Sequence, residues 1–189
     1  MVCCVLGDVC LMDTIVTNDP VIVLCDGPDM PAGRGVIFLP AILNGRPLPT
    51  VAEQFFTLLH NDYRQLRPRL SICPALSIAA NQRAQVLANG GPWAHVDANG
   101  ITPNEYARAA GCNLPSHYAV KGNGIESIVA GSPNPEALLN ALANSAGHAA
   151  HLFGRLPHYQ LQDKCGIGFA VGGQYGYYMS ILIGECVDG

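Results

Sequence analysis

The chain has 189 residues, of which 49% are apolar and 13% charged, with a formal net charge of −4. That length suits one good core plus an appendage, at roughly 100–200 residues per domain, and ten Lys and Arg spread thinly along it argue against binding a nucleic-acid backbone. Charged residues fall well below the roughly 25% of ordinary soluble domains, and mean hydropathy is +0.22, so the composition favours burial in an oligomer or larger assembly.

The first fifteen residues are apolar, but they lack a basic n-region and contain Asp8 and Asp13, so no signal peptide is expected. No run of eighteen apolar residues occurs, which excludes a membrane-spanning helix. The eight cysteines, Cys3, Cys4, Cys10, Cys25, Cys73, Cys112, Cys165 and Cys186, form no CxxC pair, so a zinc ribbon or thioredoxin-type site has no support. They read as disulfide candidates or buried thiols, the thiol being preferred for each in a reducing compartment. The exception is the cluster of four before residue 26, which suits pairing between subunits in an oxidising exterior.

Residues 1–49 contain no Lys and no Glu, and their apolar runs at 11–16, 21–25 and 36–39 are short, β-branched and separated by Asn18-Asp19-Pro20 and Asp26-Gly27-Pro28. These are strand signals. So short a stretch cannot bury a core of its own, and its strands need a partner in the following domain or a neighbouring chain. It reads as a β-rich arm, with 40–49 as linker.

A helix then opens on the capping box Thr50 and Glu53, with Val51, Phe55, Leu58, Leu59 and Leu66 at helical spacing. A second, from about Pro74 to Leu87, carries Leu76, Ala80, Ala84 and Leu87 on one face and stops at Asn89-Gly90-Gly91. Thr102-Pro103-Asn104-Glu105 opens a short helix closed by Gly111, and Asn134-Pro135 caps another carrying Leu138, Leu139 and Leu142. The runs 165–171 and 177–183 flank Gly172-Gly173 and read as a β-hairpin. Helices therefore flank a small antiparallel sheet.

His60-Asn61-Asp62-Tyr63-Arg64, Trp93-Ala94-His95, Gly124-Ile125-Glu126-Ser127-Ile128, Asn144-Ser145-Ala146-Gly147-His148 and Gly166-Ile167-Gly168 leading to Tyr177-Tyr178 occur in the order of the CAP superfamily's elements. Residues from about Thr50 to Gly184 thus resemble that superfamily, the domain of cysteine-rich secretory proteins, venom antigens and plant pathogenesis-related proteins, in a divergent, bacterial-type form. The resemblance implies an α/β (α+β) fold, the CAP-like α-β-α sandwich, over residues 50–189 behind the arm 1–49. Departures are Leu142 where a tryptophan is common, Ser145 in place of a second glutamate and Ser180 in place of a glutamine.

By the same resemblance His95, Glu126 and His148 converge in a cleft, and in some members two histidines hold a divalent metal. Two imidazoles and a carboxylate are chemically sufficient for an open zinc site, with Glu126 as ligand or behind the ligands, and such a metal acidifies its bound water. The competing reading has Glu126 accept hydrogen bonds from the histidines and backbone, fixing the loops without binding anything. It is preferred, because the second carboxylate is absent and no general base replaces it. No catalytic residue is assigned beyond these three candidates. Ser145 suits a helix N-cap better than a nucleophile. His151, one turn after His148, reads as a helix-surface residue or an extra ligand; His60 and His117 read as solvent-facing or capping, and His158 as a loop residue. Arg64 should anchor a carboxylate or carbonyl, Trp93 should plug the core, and Tyr175, Tyr177 and Tyr178 should pack with wet hydroxyls.

Three functions compete. The first is a non-enzymatic interaction or structural module, a subunit of an extracellular or virion-type assembly held through residues 1–49 as a homo-oligomer or larger complex. The second is a metal-dependent hydrolase of peptide or cell-wall material, with Zn2+ at His95, Glu126 and His148. The third is lipid or sterol binding, known for some CAP proteins, for which no loop in this sequence speaks. An extracellular or virion-associated location is favoured over the cytoplasm.

Overall fold

The computed structural model describes residues 49–67 and 69–186, and before them the backbone of four short strands. The chain divides into two compact units, Met1–Pro49 and Thr50–Gly189. In the first, β1 (Ile22–Leu24) pairs antiparallel with β2 (Val36–Phe38), Ile22 opposite Phe38, and β3 (Ile42–Leu43) pairs with β4 (Arg46–Pro47). β1 and β2 fall on two of the expected runs; the run 11–16 lies outside the described residues. The stretch read as linker carries the β3–β4 pair, because Asn44-Gly45 between two short runs is itself a two-residue hairpin signal.

The second unit begins with α1 (Val51–His60), where Thr50 Oγ1 accepts from the Glu53 amide at 3.2 Å and the Thr50 amide donates to Glu53 Oε2 at 2.7 Å. The box satisfies orphan backbone donors and sets the helix start. α1 ends at His60, and Leu66 stands exposed in the following loop rather than on its apolar face. Arg64 clamps Asp62 in that loop through Nε and Nη2 at 2.8 and 2.6 Å, as its guanidinium fork allows. β5 (Ser71–Ile72) leads into α2 (Pro74–Ala88), and α3 (Pro103–Ala109) follows, with the Thr102 amide donating to Glu105 at 2.9 Å. Gly111, at φ +97°, turns the chain out of α3 in the left-handed region open to glycine.

β6 (Glu126–Ala130) precedes α4 (Pro135–Ala143), α5 (Ala146–Leu152) and the one-turn α6 (Pro157–Gln160), and the hairpin of β7 (Lys164–Gly172) and β8 (Gly176–Gly184) closes the chain. The sheet order is β5-β7-β8-β6, antiparallel except for β5, which runs parallel to β7. The sheet is therefore mixed, not wholly antiparallel as expected. Parallel pairing needs a long crossover, and some ninety residues separate Ile72 from its partner Cys165.

Alternation along the strands sorts side chains to two cores. Ile167, Met179, Ile181 and Ile183 face Phe55 and Leu59 of α1 and Leu138, Leu142 and Leu152 of α4 and α5. On the other face Leu182 packs with Leu76, Ala79 and Ala80 of α2 and Ala107 of α3. This is an α-β-α sandwich. α2 lies directly on β7 because Gly166 and Gly168 leave room: a Cβ at either would sit 2.1 or 2.2 Å from backbone carbon of Leu76 or Ala80. Each buried aliphatic side chain contributes about 1.5–3 kcal/mol.

Cys112 and Cys186 form a disulfide with Cα atoms 5.1 Å apart, correcting the buried-thiol reading for this pair. Their separation of 74 residues hid the pairing. Cys73 and Cys165 are free thiols, and burial pushes Cys165 up to about 12. The four N-terminal cysteines lie outside the described residues.

Candidate functional site

Glu126 opens β6 and points to the α2 side of the sheet, its side chain fully buried. Asn123 fixes the turn before it, its Oδ1 accepting from the Glu126 amide at 2.8 Å while its Nδ2 donates to the Glu126 carbonyl at 3.2 Å. A buried carboxylate requires compensation, and Glu126 has three partners. Arg83 Nε donates to Oε1 at 3.0 Å, Ser180 Oγ donates to Oε1 at 2.9 Å, and Oε2 lies 2.9 Å from His95 Nδ1.

Sequence reasoning missed Arg83. It projects from the middle of α2, wholly buried, and its Nη2 also donates to the Ala94 carbonyl at 2.8 Å, immediately before His95. The guanidinium lies 5.3 Å over the Tyr106 ring, a cation–π contact. Its Nη1 is buried with no hydrogen-bond partner among the described residues. An arginine inside the alanine-rich stretch Ala79 to Ala88 was the available signal: a lone cation on a helix with so many small residues lies where the backbone comes close to the sheet.

Tyr106 donates to Asp97 Oδ2 at 2.6 Å, and Asp97 Oδ1 accepts from the Asn99 and Ile101 amides, both at 2.8 Å. These bonds, the Tyr106 hydroxyl first, hold the Asp97 carboxyl below its ordinary range. The loop bearing His95 is thus tied at Ala94 and at Asp97.

The structure brings His95 and Glu126 into contact and sets His148, on α5, within electrostatic reach of His95. Burial and then the neighbouring His95 lower the His148 pKa, and His148 makes no hydrogen bond among the described residues. With His95 Nδ1 directed at Glu126, its Nε2 is the nitrogen left for another partner, on a side chain 38% exposed. A zinc ion needs about three protein ligands in an open site, whereas the Glu126 oxygens are taken by Arg83, Ser180 and His95. Among the described residues no group of three or more His, Cys, Asp or Glu side chains is arranged to hold a metal. With Glu126 engaged, His95 and His148 supply two imidazoles, one fewer than the three protein ligands of an open zinc site.

Ser145 occupies the N-cap position of α5, but its hydroxyl makes no capping bond. His151 departs from its surface reading: it is buried, with Nδ1 2.7 Å from Ser127 Oγ. Burial drives its pKa down to about 3. Ala149, Leu152 and Phe153, all buried around it, were the signal that this side of α5 faces inward. Arg67, also missed, is buried beside it and donates to the carbonyls of His151, Leu152 and Tyr159, burial lowering its pKa to about 10.

Trp93 is not a core plug. It is 48% exposed, edge-on to Tyr175 and Tyr178 at 5.7 and 6.0 Å. The Tyr178 hydroxyl is not wet but accepts from the Tyr175 amide at 3.1 Å. His117 is exposed and meets Glu185 at 3.1 Å, and His158 lies on α6 rather than in a loop.

The three layers and the sheet order define an SCP/CAP-like α/β fold. It is similar to the structure of an outer surface protein from Borrelia burgdorferi, with a TM-score of 0.56 at 19% identity over 72% of this chain and 93% of that one. It is also similar to an extracellular protein containing an SCP domain from Bacillus anthracis, with a TM-score of 0.52 at 17% identity over 80% of this chain and 47% of that one. No family model and no curated protein matches the sequence. No helix among the described residues is long and apolar enough to cross a membrane.

Proposed function

We propose that this chain is a non-enzymatic extracellular module of CAP type that works by contact with other proteins, with residues 1–49 attaching it to an oligomer or to a virion-type or surface assembly. The observation that carries the reading is the engagement of Glu126: its carboxylate binds Arg83, Ser180 and His95, so it serves as an internal fastener of the His95 loop. The Cys112–Cys186 disulfide suits an oxidising exterior. So do the locations in the names of the two similar structures. The low charge and the half-exposed Trp93 and Tyr175 support a surface that works by contact.

The approach of His148 to His95 favours one competing reading, a metal-dependent hydrolase. The test takes the purified full-length chain and the His95→Ala His148→Ala double variant, measuring zinc content, hydrolysis of casein and of peptidoglycan, and mass by sedimentation velocity. The module reading expects equal zinc in both proteins, no hydrolysis by either and a mass above that of one chain. Stoichiometric zinc with hydrolysis, both lost in the double variant, transfers the assignment to the hydrolase. A monomer at all concentrations removes the homo-oligomer.

A further inference from the structure

β5 is an edge strand, and its backbone states which way it is open. The Ser71 amide donates to the Asp163 carbonyl and the Cys73 amide to the Cys165 carbonyl, both at 2.9 Å. Because successive peptide groups alternate in an extended chain, the amide and carbonyl of Ile72, between them, face away from β7. Ile72 has no backbone partner among the described residues, and half of its surface is exposed.

Beside this edge lies an open depression of about 390 Å³ between β5 and the last turn of α1, lined in part by Phe56, His60, Arg69, Leu70 and Ile72. It is on the opposite side of the sheet from Glu126, since Phe56 packs on the cluster containing Ile181 and Ile183 while Ser180 reaches the carboxylate. Arg69 on its rim is exposed and has no acidic partner among the described residues. Lys164 reaches across from β7 to Ser71 Oγ at 3.2 Å, but it is paired with Asp163 at 3.4 Å, so Arg69 is the cation left at this edge without an acidic partner among the described residues.

We propose that the β5 edge docks an extended polypeptide segment of another protein, which adds a strand beside Ile72, seats one apolar side chain against Phe56 and Leu70, and sets an acidic residue against Arg69. An open edge supplies main-chain hydrogen bonds and an adjoining pocket supplies selectivity, the two requirements of strand addition. An unpaired edge alone would be a hazard that proteins blunt with charge and short length. Here the adjoining apolar depression and the unpaired cation define a complementary sequence. The inference rests on the contact-module reading and names its partner class.

The probe is a pool of blocked hexapeptides with alternating β-branched residues, leucine third and glutamate fifth, titrated into the isotope-labelled full-length chain. Bound peptide is expected to slow hydrogen exchange at the Ile72 amide at least tenfold and to shift the resonances of Phe56 and Leu70. Ile72→Pro, which removes the outward amide along with the isoleucine side chain, should weaken binding at least tenfold where Ile72→Val, which keeps the amide, does not, and Arg69→Glu should reverse the preference towards a pool with lysine fifth. Should Ile72→Pro fail to fold, the Arg69→Glu reversal carries the test. Exchange at Ile72 that stays fast at millimolar peptide overturns the proposal, as does an unchanged charge preference in Arg69→Glu. Concentration-dependent protection of Ile72 without peptide also overturns it, assigning the edge to a second copy. Resonance shifts confined to Trp93 and His95 sink the edge but leave the contact module standing. Cleavage of the pool sinks the module reading, while protection at Ile72 still reports the edge.

Discussion

Glu126 and Ser127 are neighbours on β6, yet each holds a histidine on a different face of the sheet. Glu126 meets His95 as part of an ion-paired network with Arg83, whereas Ser127 meets His151 with a neutral hydroxyl. The His95 ring is partly exposed and the His151 ring is deeply buried. The difference shows how one strand can fasten a loop and a helix by opposite means: charge compensated by charge on the α2 side, and a histidine kept neutral by burial on the α5 side.

The largest test of that contrast removes the charge. Glu126→Gln leaves Arg83 buried without its anion and should cost about 3–5 kcal/mol, the range for breaking a buried pair, read by urea unfolding; Arg83→Met added to it should recover part of the loss. A cost below about 1 kcal/mol would put the network on the same footing as the hydroxyl pair. Next comes the disulfide, whose Cys112 belongs to the α2-side core. Cys112→Ser with Cys186→Ser should lower stability by about 2–4 kcal/mol through the freed unfolded chain, and hydrogen exchange should rise first around Leu114 and Ile125 rather than around His151.

The third test is pH. The His151 pKa is about 3 in the folded chain against an ordinary 6.5, so between those values the unfolded chain binds the extra proton. Stability contributed by the neutral ring is fully present above about pH 6.5 and is lost as pH falls towards 3, at most about 1.4 kcal/mol per pH unit. His151→Gln should flatten this acid limb in thermal unfolding; an unchanged limb would place the acid sensitivity elsewhere. The smallest effect is expected from Ser127→Ala, about 1 kcal/mol for one buried hydrogen bond. A loss as large as that of Glu126→Gln would erase the distinction between the two faces.

Several elements were legible because their signals are local. The Thr50–Glu53 box starts α1, and Asn134 caps α4 through its Oδ1. His95 and Glu126 came from the resemblance and do meet. Arg83, Arg67 and the buried state of His151 were missed, because small and apolar neighbours mark an inward face without saying what would compensate a charged or titratable side chain placed on it. So was the Cys112–Cys186 bond, since eight cysteines without a motif leave their pairing open.

The sequence by itself determined where helices begin, which faces are apolar and that the chain folds as a helix-flanked sheet, since capping and periodicity act within a few residues. Only the tertiary structure decided what those faces enclose: that Arg83 compensates Glu126, that His151 loses its proton to burial, and that β5 leaves Ile72 open at the edge. Charge compensation, desolvation and strand order depend on residues far apart in the chain, so they exist only once the layers have packed.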